Sequence, residues 1–188
     1  MINFMNTFVV MSRFNIRLYI LPLFVITLFP TMTSCVSIPD GIKPVQPFDV
    51  NRYLGKWYEI ARLDHRFERG MQQISAEYTL RDDGGLNVVN RGFIVDDGVW
   101  KTADGKAYFV SSNDQGYLKV SFFGPFYGAY IVFELDEHYQ YAFITSSTRD
   151  YLWLLSRTPT IDDQLMEHFL STVKTLGFDT SQVIKVMH

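Results

Sequence analysis

The chain has 188 residues, with 17 Lys and Arg against 20 Asp and Glu and a formal net charge of -3, and 47% of it is hydrophobic. That is one domain's worth of sequence, with enough apolar side chains to bury a core. No long Lys/Arg run supplies the electrostatic footprint that a phosphate backbone requires, so nucleic-acid binding is excluded as the main activity.

The amino terminus differs from the rest. Arg13 and Arg17 precede an apolar run from Leu18 to Phe29, followed by Pro30 to Ser34 and the only cysteine, Cys35. This is the layout of a signal peptide over residues 1–34, with Met11 a second candidate start. A membrane-spanning helix competes with it, but the uninterrupted run is shorter than the ~20 residues a bilayer core demands, and Pro22 weakens it as a helix. The tetrapeptide Met32-Thr33-Ser34-Cys35 resembles a bacterial lipobox, which implies acylation of the Cys35 thiol and cleavage before it. A solitary cysteine has no internal disulfide partner. In the lipobox context Val36, not being Asp, implies sorting to the outer membrane, with the protein lipid-anchored on the periplasmic side. Residues 35–48 hold Pro39, Pro44, Pro47 and Gly41, too many breakers for a helix or central strand, and are expected to form a semi-extended tether spacing the domain from the membrane.

From residue 49 onward the pattern has period 2. Gly55 opens a turn into a strand-forming run, Trp57-Tyr58-Glu59-Ile60-Ala61. Ile74, Ala76, Tyr78 and Leu80 alternate with Ser75, Glu77 and Thr79 over a second strand, Gln72 to Leu80. Asp82-Asp83-Gly84-Gly85 is a hairpin turn into Leu86 to Ile94, where Val88 and Asn90 share a face. Asp96-Asp97-Gly98 turns into Trp100 to Ser111, which Gly105 bends. Leu118, Val120 and Phe122 alternate in the next strand, and Gly124 to Gly128 reverses the chain into Ala129 to Leu135. Tyr141 to Ser146 and Tyr151 to Arg157 complete eight strands; both faces of these two are apolar, which leaves their parity open. Thr160 then reads as a helix N-cap with Asp163 as its capping-box partner; Leu165, Met166, Phe169, Leu170 and Val173 form one apolar stripe, and Gly177 ends the helix. Val183, Ile184 and Val186 can add a short closing strand. The expected fold is all-β: an eight-stranded antiparallel up-and-down barrel with one carboxy-terminal α-helix packed on its wall.

Gly55-Lys56-Trp57-Tyr58, about eight short strands, Arg157 at the end of the last strand and then one helix together resemble the lipocalin family, in particular its bacterial outer-membrane lipoproteins and apolipoprotein-D-like members. The family's second motif, a Thr-Asp-Tyr turn, is degenerate here as Leu135-Asp136-Glu137-His138-Tyr139. The resemblance implies a cup for a hydrophobic ligand, a fatty acid or lysophospholipid, serving membrane lipid storage or transport. Tyr78 and Asn90 match positions that contact ligand in apolipoprotein-D-like proteins; Ile131 matches a third whose residue type differs. It also implies that Gly55, Trp57 and Arg157 form a structural floor, with the Arg157 guanidinium over the Trp57 indole.

If alternate residues of each strand point inward, the candidate ligand-binding wall is Ala76, Tyr78, Val88, Asn90, Phe109, Val120, Phe122, Ile131 and Phe133. A filled core is the competing reading. No nucleophile with a base, no metal-ligand spacing and no phosphate loop is evident, so the protein reads as a binding protein with no cofactor, no metal and no catalytic residue. His65, within Asp64-His65-Arg66-Phe67-Glu68-Arg69, reads as part of a solvated charged loop. An acidic or thiol group inside the cup would instead favour an enzyme on the same barrel. Phe126 and Tyr127 fall at the expected open end, an aromatic rim suited to a membrane or to a second copy in a homodimer.

Overall fold

A computed structural model describes residues 36–188. The expected signal segment and Cys35 lie outside the described residues. Eight strands, β1 (Gly55–Leu63), β2 (Met71–Leu80), β3 (Leu86–Ile94), β4 (Val99–Phe109), β5 (Tyr117–Phe123), β6 (Phe126–Leu135), β7 (Tyr141–Thr145) and β8 (Leu152–Ser156), pair antiparallel with their sequence neighbours. Pairing of β1 with both β8 and β2 closes the barrel, which removes the open edges of a sheet. A one-turn helix, α1 (Val50–Tyr53), precedes β1, and α2 (Asp163–Thr175) follows β8. A short β9 (Val183–Lys185) pairs with the second half of β1, taking over where β2 has left it.

Two apolar layers explain why parity was unreadable in the last strands. The first lies between the barrel and α2, where Met166, Phe169 and Val173 pack on Ile131, Phe143 and Leu154; Phe143 and Phe169 meet edge to face at 4.9 Å. The second fills the barrel floor around Trp57, Phe48 and Tyr53. Strands β6 to β8 therefore bury both faces: Ala142, Ile144 and Leu155 inward, Phe143, Leu152 and Leu154 under the helix.

Two local expectations are corrected. The N-cap of α2 is Asp162, whose Oδ1 accepts from Leu165 N–H at 2.8 Å, so the capping register lies two residues beyond Thr160. The segment from Val36 to Phe48 is no free spacer. Val45 N–H donates to Val132 O, Gly116 N–H donates back to Val45 O, Arg149 reaches Asp40 O, and Ile42 and Phe48 are buried. Its prolines prevent it from joining the sheet as a regular strand, while its spaced apolar side chains let it lie against the wall.

At the floor, Gly55 takes φ +88°, the left-handed region that glycine enters without a Cβ penalty, and this aims β1 into the barrel. Trp57 is fully buried and its indole N–H donates to Tyr53 O at 2.8 Å. Arg157 Cζ sits 3.9 Å from the indole ring centroid. The guanidinium also donates to three carbonyls, those of Arg52, Lys56 and Tyr139, at 2.7, 2.9 and 3.3 Å. It thereby ties α1, β1 and the turn before β7 into one closed end.

Candidate functional site: an apolar cavity with an acidic wall

Above this floor the barrel encloses a cavity of about 590 Å³ that opens between the loops following β1, β3, β5 and β7. Its volume falls within the roughly 300–1,000 Å³ of small-molecule sites. Alternation along β2 to β5 creates most of the wall. Ala76, Tyr78, Val88, Asn90, Val120 and Phe122 line it, as their parity requires. Small residues on β4, Ala103 and Ala107, keep the middle open, and the Phe122 ring lies so close over Gly105 that a Cβ there would meet it at 2.7 Å.

Three of the candidate wall residues lie elsewhere. Ile131 and Phe133 point outward, beneath the carboxy-terminal segment, with Phe133 stacked on Phe178 at 6.2 Å. The inward residues of β6 are Gly128, Tyr130 and Val132. Both faces of β6 are apolar, so alternation alone selected the wrong one. Phe109 does point inward but packs against Phe48 in the floor, below the cavity.

Of the polar part of the wall, only Tyr78 and Asn90 were among the candidates. Deep in the cavity Tyr53, Tyr78 and Tyr130 join their hydroxyls, with Tyr130 Oη 2.7 Å from Tyr53 Oη and 2.8 Å from Tyr78 Oη. Burial raises the pKa of all three above the ordinary tyrosine range. They therefore serve as neutral hydrogen-bonding groups. Two wall atoms, Asn90 Oδ1 and Ser121 Oγ, have no partner among the described residues. An unsatisfied buried polar group costs about 1–3 kcal/mol, so each is a point where a ligand atom or water gains a bond.

Toward the mouth, a β-bulge changes what the sequence suggested. The register of β1 against β8 slips between Glu59 and Ala61, and Ile60 and Ala61 both join the outer apolar layer. Glu59 and Arg62, three apart, are thereby brought together, whereas an unbroken strand would set them on opposite faces. Arg62 Nη1 donates to Glu59 Oε1 at 3.0 Å, and its Nη2 donates to Glu68 O at 3.0 Å. Glu68 Oε2 lies 2.9 Å from His65 Nε2 and accepts from Trp153 Nε1 at 3.1 Å. His65 is only 8% exposed, its ring packed 5.3 Å from Trp153 and 5.5 Å from Tyr151, so the solvated-loop reading is wrong. Burial pushes Glu59 well above the ordinary carboxylate range and the charge of Glu68 adds to this, with Arg62 opposing. Burial would also raise Glu68, but the His65 and Trp153 bonds and the Arg62 charge outweigh it and hold Glu68 below that range. Of these two interacting carboxyls, Glu59 is the one whose surroundings favour the proton and Glu68 the one whose surroundings favour the charge. Among the described residues no group of His, Cys, Asp and Glu is arranged to hold a metal ion.

Around the mouth, Phe67, Phe123 and Phe126 are half or more exposed, with Phe126 at 66%. Phe126 and Tyr127 both line the opening.

Comparison with known proteins places this geometry. A lipocalin-like domain model matches residues 48–188. The outer membrane lipoprotein Blc of Vibrio cholerae is 54% identical over 165 residues, covering 87% of this chain and 96% of that protein. Blc of Escherichia coli K12 is 54% identical over 153 residues, with 81% and 86% covered. Apolipoprotein D of Rattus norvegicus is 29% identical over 148 residues, with 74% and 77% covered. Among solved structures, insecticyanin from the tobacco hornworm Manduca sexta superposes with a TM-score of 0.64 at 22% identity, covering 81% of this chain and 87% of its own, a likeness of fold. With its motifs, its closed eight-stranded barrel and these matches in agreement, the chain belongs to the lipocalin family.

Proposed function

We propose that this protein is a lipid-anchored outer-membrane lipocalin that holds a single-chain lipid, a fatty acid or lysophospholipid, for storage or transfer within the envelope. The observation that carries the reading is the cavity of about 590 Å³, apolar along its length and closed at the floor by Trp57 and Arg157. An acyl chain placed there gains by leaving water, at about 0.8 kcal/mol per buried methylene, and the polar groups of the tyrosines and of the His65–Glu68 pair are available to the polar end of such a chain. The Blc relatives carry the words outer membrane lipoprotein in their names, which supports anchoring through acylated Cys35. Native mass spectrometry of the protein taken from its own membrane, followed by solvent extraction, tests the reading: a stoichiometric lipid adduct is expected, and an adduct-free barrel that takes up no added lipid would refute it. Cys35→Ala should release the protein from membranes; labelled palmitate that never enters the wild-type protein would refute the anchor.

A second reading, an enzyme acting on a lipophilic substrate, draws on one observation, the Glu59–Glu68 carboxyl pair on the cavity wall. The carboxyls are already engaged, Glu59 by Arg62 and Glu68 by Trp153, and no thiol lines the cavity among the described residues, which favours binding. Recovery of every bound lipid chemically unchanged after prolonged incubation is the outcome expected of a binding protein.

A further inference from the structure

We propose that Glu59, His65 and Glu68 form a subsite for the ammonium group of a single-chain amphiphile. The inference rests on the lipid-binding reading and specifies the head group that the cavity selects. The first observation is where the hydrogen-bonding capacity is left over. The terminal nitrogens of Arg62 are committed to Glu59 and to the backbone oxygens of Glu68 and Met71; its Nε has no partner among the described residues, but Arg62 does not line the cavity. His65, more than nine-tenths buried on the cavity wall, has Nε2 against Glu68 and Nδ1 without a partner among the described residues. With the Nε2 proton given to the carboxylate, Nδ1 presents a lone pair. The positions left free here, His65 Nδ1 and the remaining lone pairs of Glu68, are therefore acceptors, and a primary ammonium, with three donors and no acceptor, is their complement.

The second observation is independent of hydrogen bonding. The rings of Phe67, Tyr151 and Trp153 lie 6.0, 5.5 and 5.3 Å from the His65 ring, centroid to centroid, so the patch is walled by aromatic rings, and the Arg66 guanidinium already sits 4.9 Å over the ring of Phe67. Aromatic faces attract cations, more strongly where water is excluded. The position agrees as well: His65, Phe67 and Glu68 belong to the loop between β1 and β2 at the mouth, so a head seated there directs its chain toward the tyrosines below. A carboxylate head would meet the charge of Glu68 instead. Arg91 and Lys101 also line the cavity, from β3 and β4, so a phosphate on the same head group is not excluded from the mouth.

The test displaces a cavity-bound fluorescent fatty acid from the wild-type protein at neutral pH with dodecylamine, 1-dodecanol and dodecanoate, which share one chain. Dodecylamine should compete about tenfold more tightly than dodecanoate, with the alcohol between them. Equal competition by all three, or the reverse order, would overturn the subsite and leave the cavity standing. Failure of the fluorescent fatty acid itself to bind would remove the lipid-binding reading and the subsite together, whereas a bound probe that none of the three displaces would overturn the subsite alone. Glu68→Gln, which keeps an acceptor for Trp153 but removes the charge, should shrink the amine preference to about threefold or less. A preference unchanged in folded Glu68→Gln would also overturn the proposal; if this variant does not fold, the wild-type series decides alone. Lysophosphatidylethanolamine against lysophosphatidylglycerol of the same chain separates the amine from the phosphate, and equal affinity for the two would count against the subsite.

Discussion

Replacing Arg157 by Ala should weaken the closed end without touching the cavity. The wild-type guanidinium lies 3.9 Å from the centroid of a fully buried indole and donates to three backbone carbonyls. The cation-aromatic contact is worth about 0.5–2 kcal/mol. Two of the three carbonyl bonds lie where water can replace the donor, so most of their contribution is recovered; the Tyr139 bond is more enclosed and should cost about 1 kcal/mol when lost. Together these give a destabilisation of about 1.5–3 kcal/mol, which for a domain of this size lowers Tm by roughly 4–12 °C. Urea unfolding followed by tryptophan fluorescence would measure it as a lower midpoint at unchanged slope. Arg157→Lys should recover only part of the loss, because an ammonium lacks the planar fork that spans three carbonyls. Since Arg157 does not line the cavity, the folded variant should bind a fluorescent fatty acid as the wild type does. A stability change below about 0.5 kcal/mol, within the range of ordinary surface substitutions, would refute this account of the floor, as would lost binding at full stability.

Phe169→Ala removes a fully buried ring from the layer under α2 and should cost about 3–5 kcal/mol by chemical denaturation; a much smaller loss would mean that the helix is not held by that layer. Tyr130→Phe leaves the Tyr53 and Tyr78 hydroxyls without their shared partner and should cost about 1–2 kcal/mol, checked by the same melt. Glu59 has its folded-state pKa raised, so its contribution is fully present below the unfolded-state value and is lost as pH rises through the folded one. Glu59→Gln, which mimics the protonated form, should therefore flatten the decline of stability toward alkaline pH, whereas a decline of unchanged slope would show that Glu59 is ionised in the folded protein.

The chain declared its barrel through Gly55, Trp57 and the period-2 strands because each of those signals is local. Tyr78, Val88 and Val120 were legible as inward residues because strands β2, β3 and β5 carry one apolar and one more polar face. Ile131 and Phe133 were not, since α2 and the segment after it cover the outer face of β6 and make both parities apolar. The acidic wall was hidden for a different reason. Only the bulge after Glu59 sets Glu59 and Arg62 together, and only the path of the β1–β2 loop buries His65 between Tyr151 and Trp153, residues almost ninety positions away in sequence. A three-residue spacing of opposite charges in a strand was the one available signal, and it gains meaning only once a bulge is known.

The central claim, that the cavity holds one lipid chain, is tested most directly by titrating delipidated protein with a fluorescent fatty acid beside an Ala103→Trp variant whose indole fills the middle of the cavity. Saturable one-to-one binding by the wild type, lost in a variant that retains its barrel by circular dichroism, is the expected result. Equal binding by the two proteins would place the lipid outside the barrel and contradict the claim.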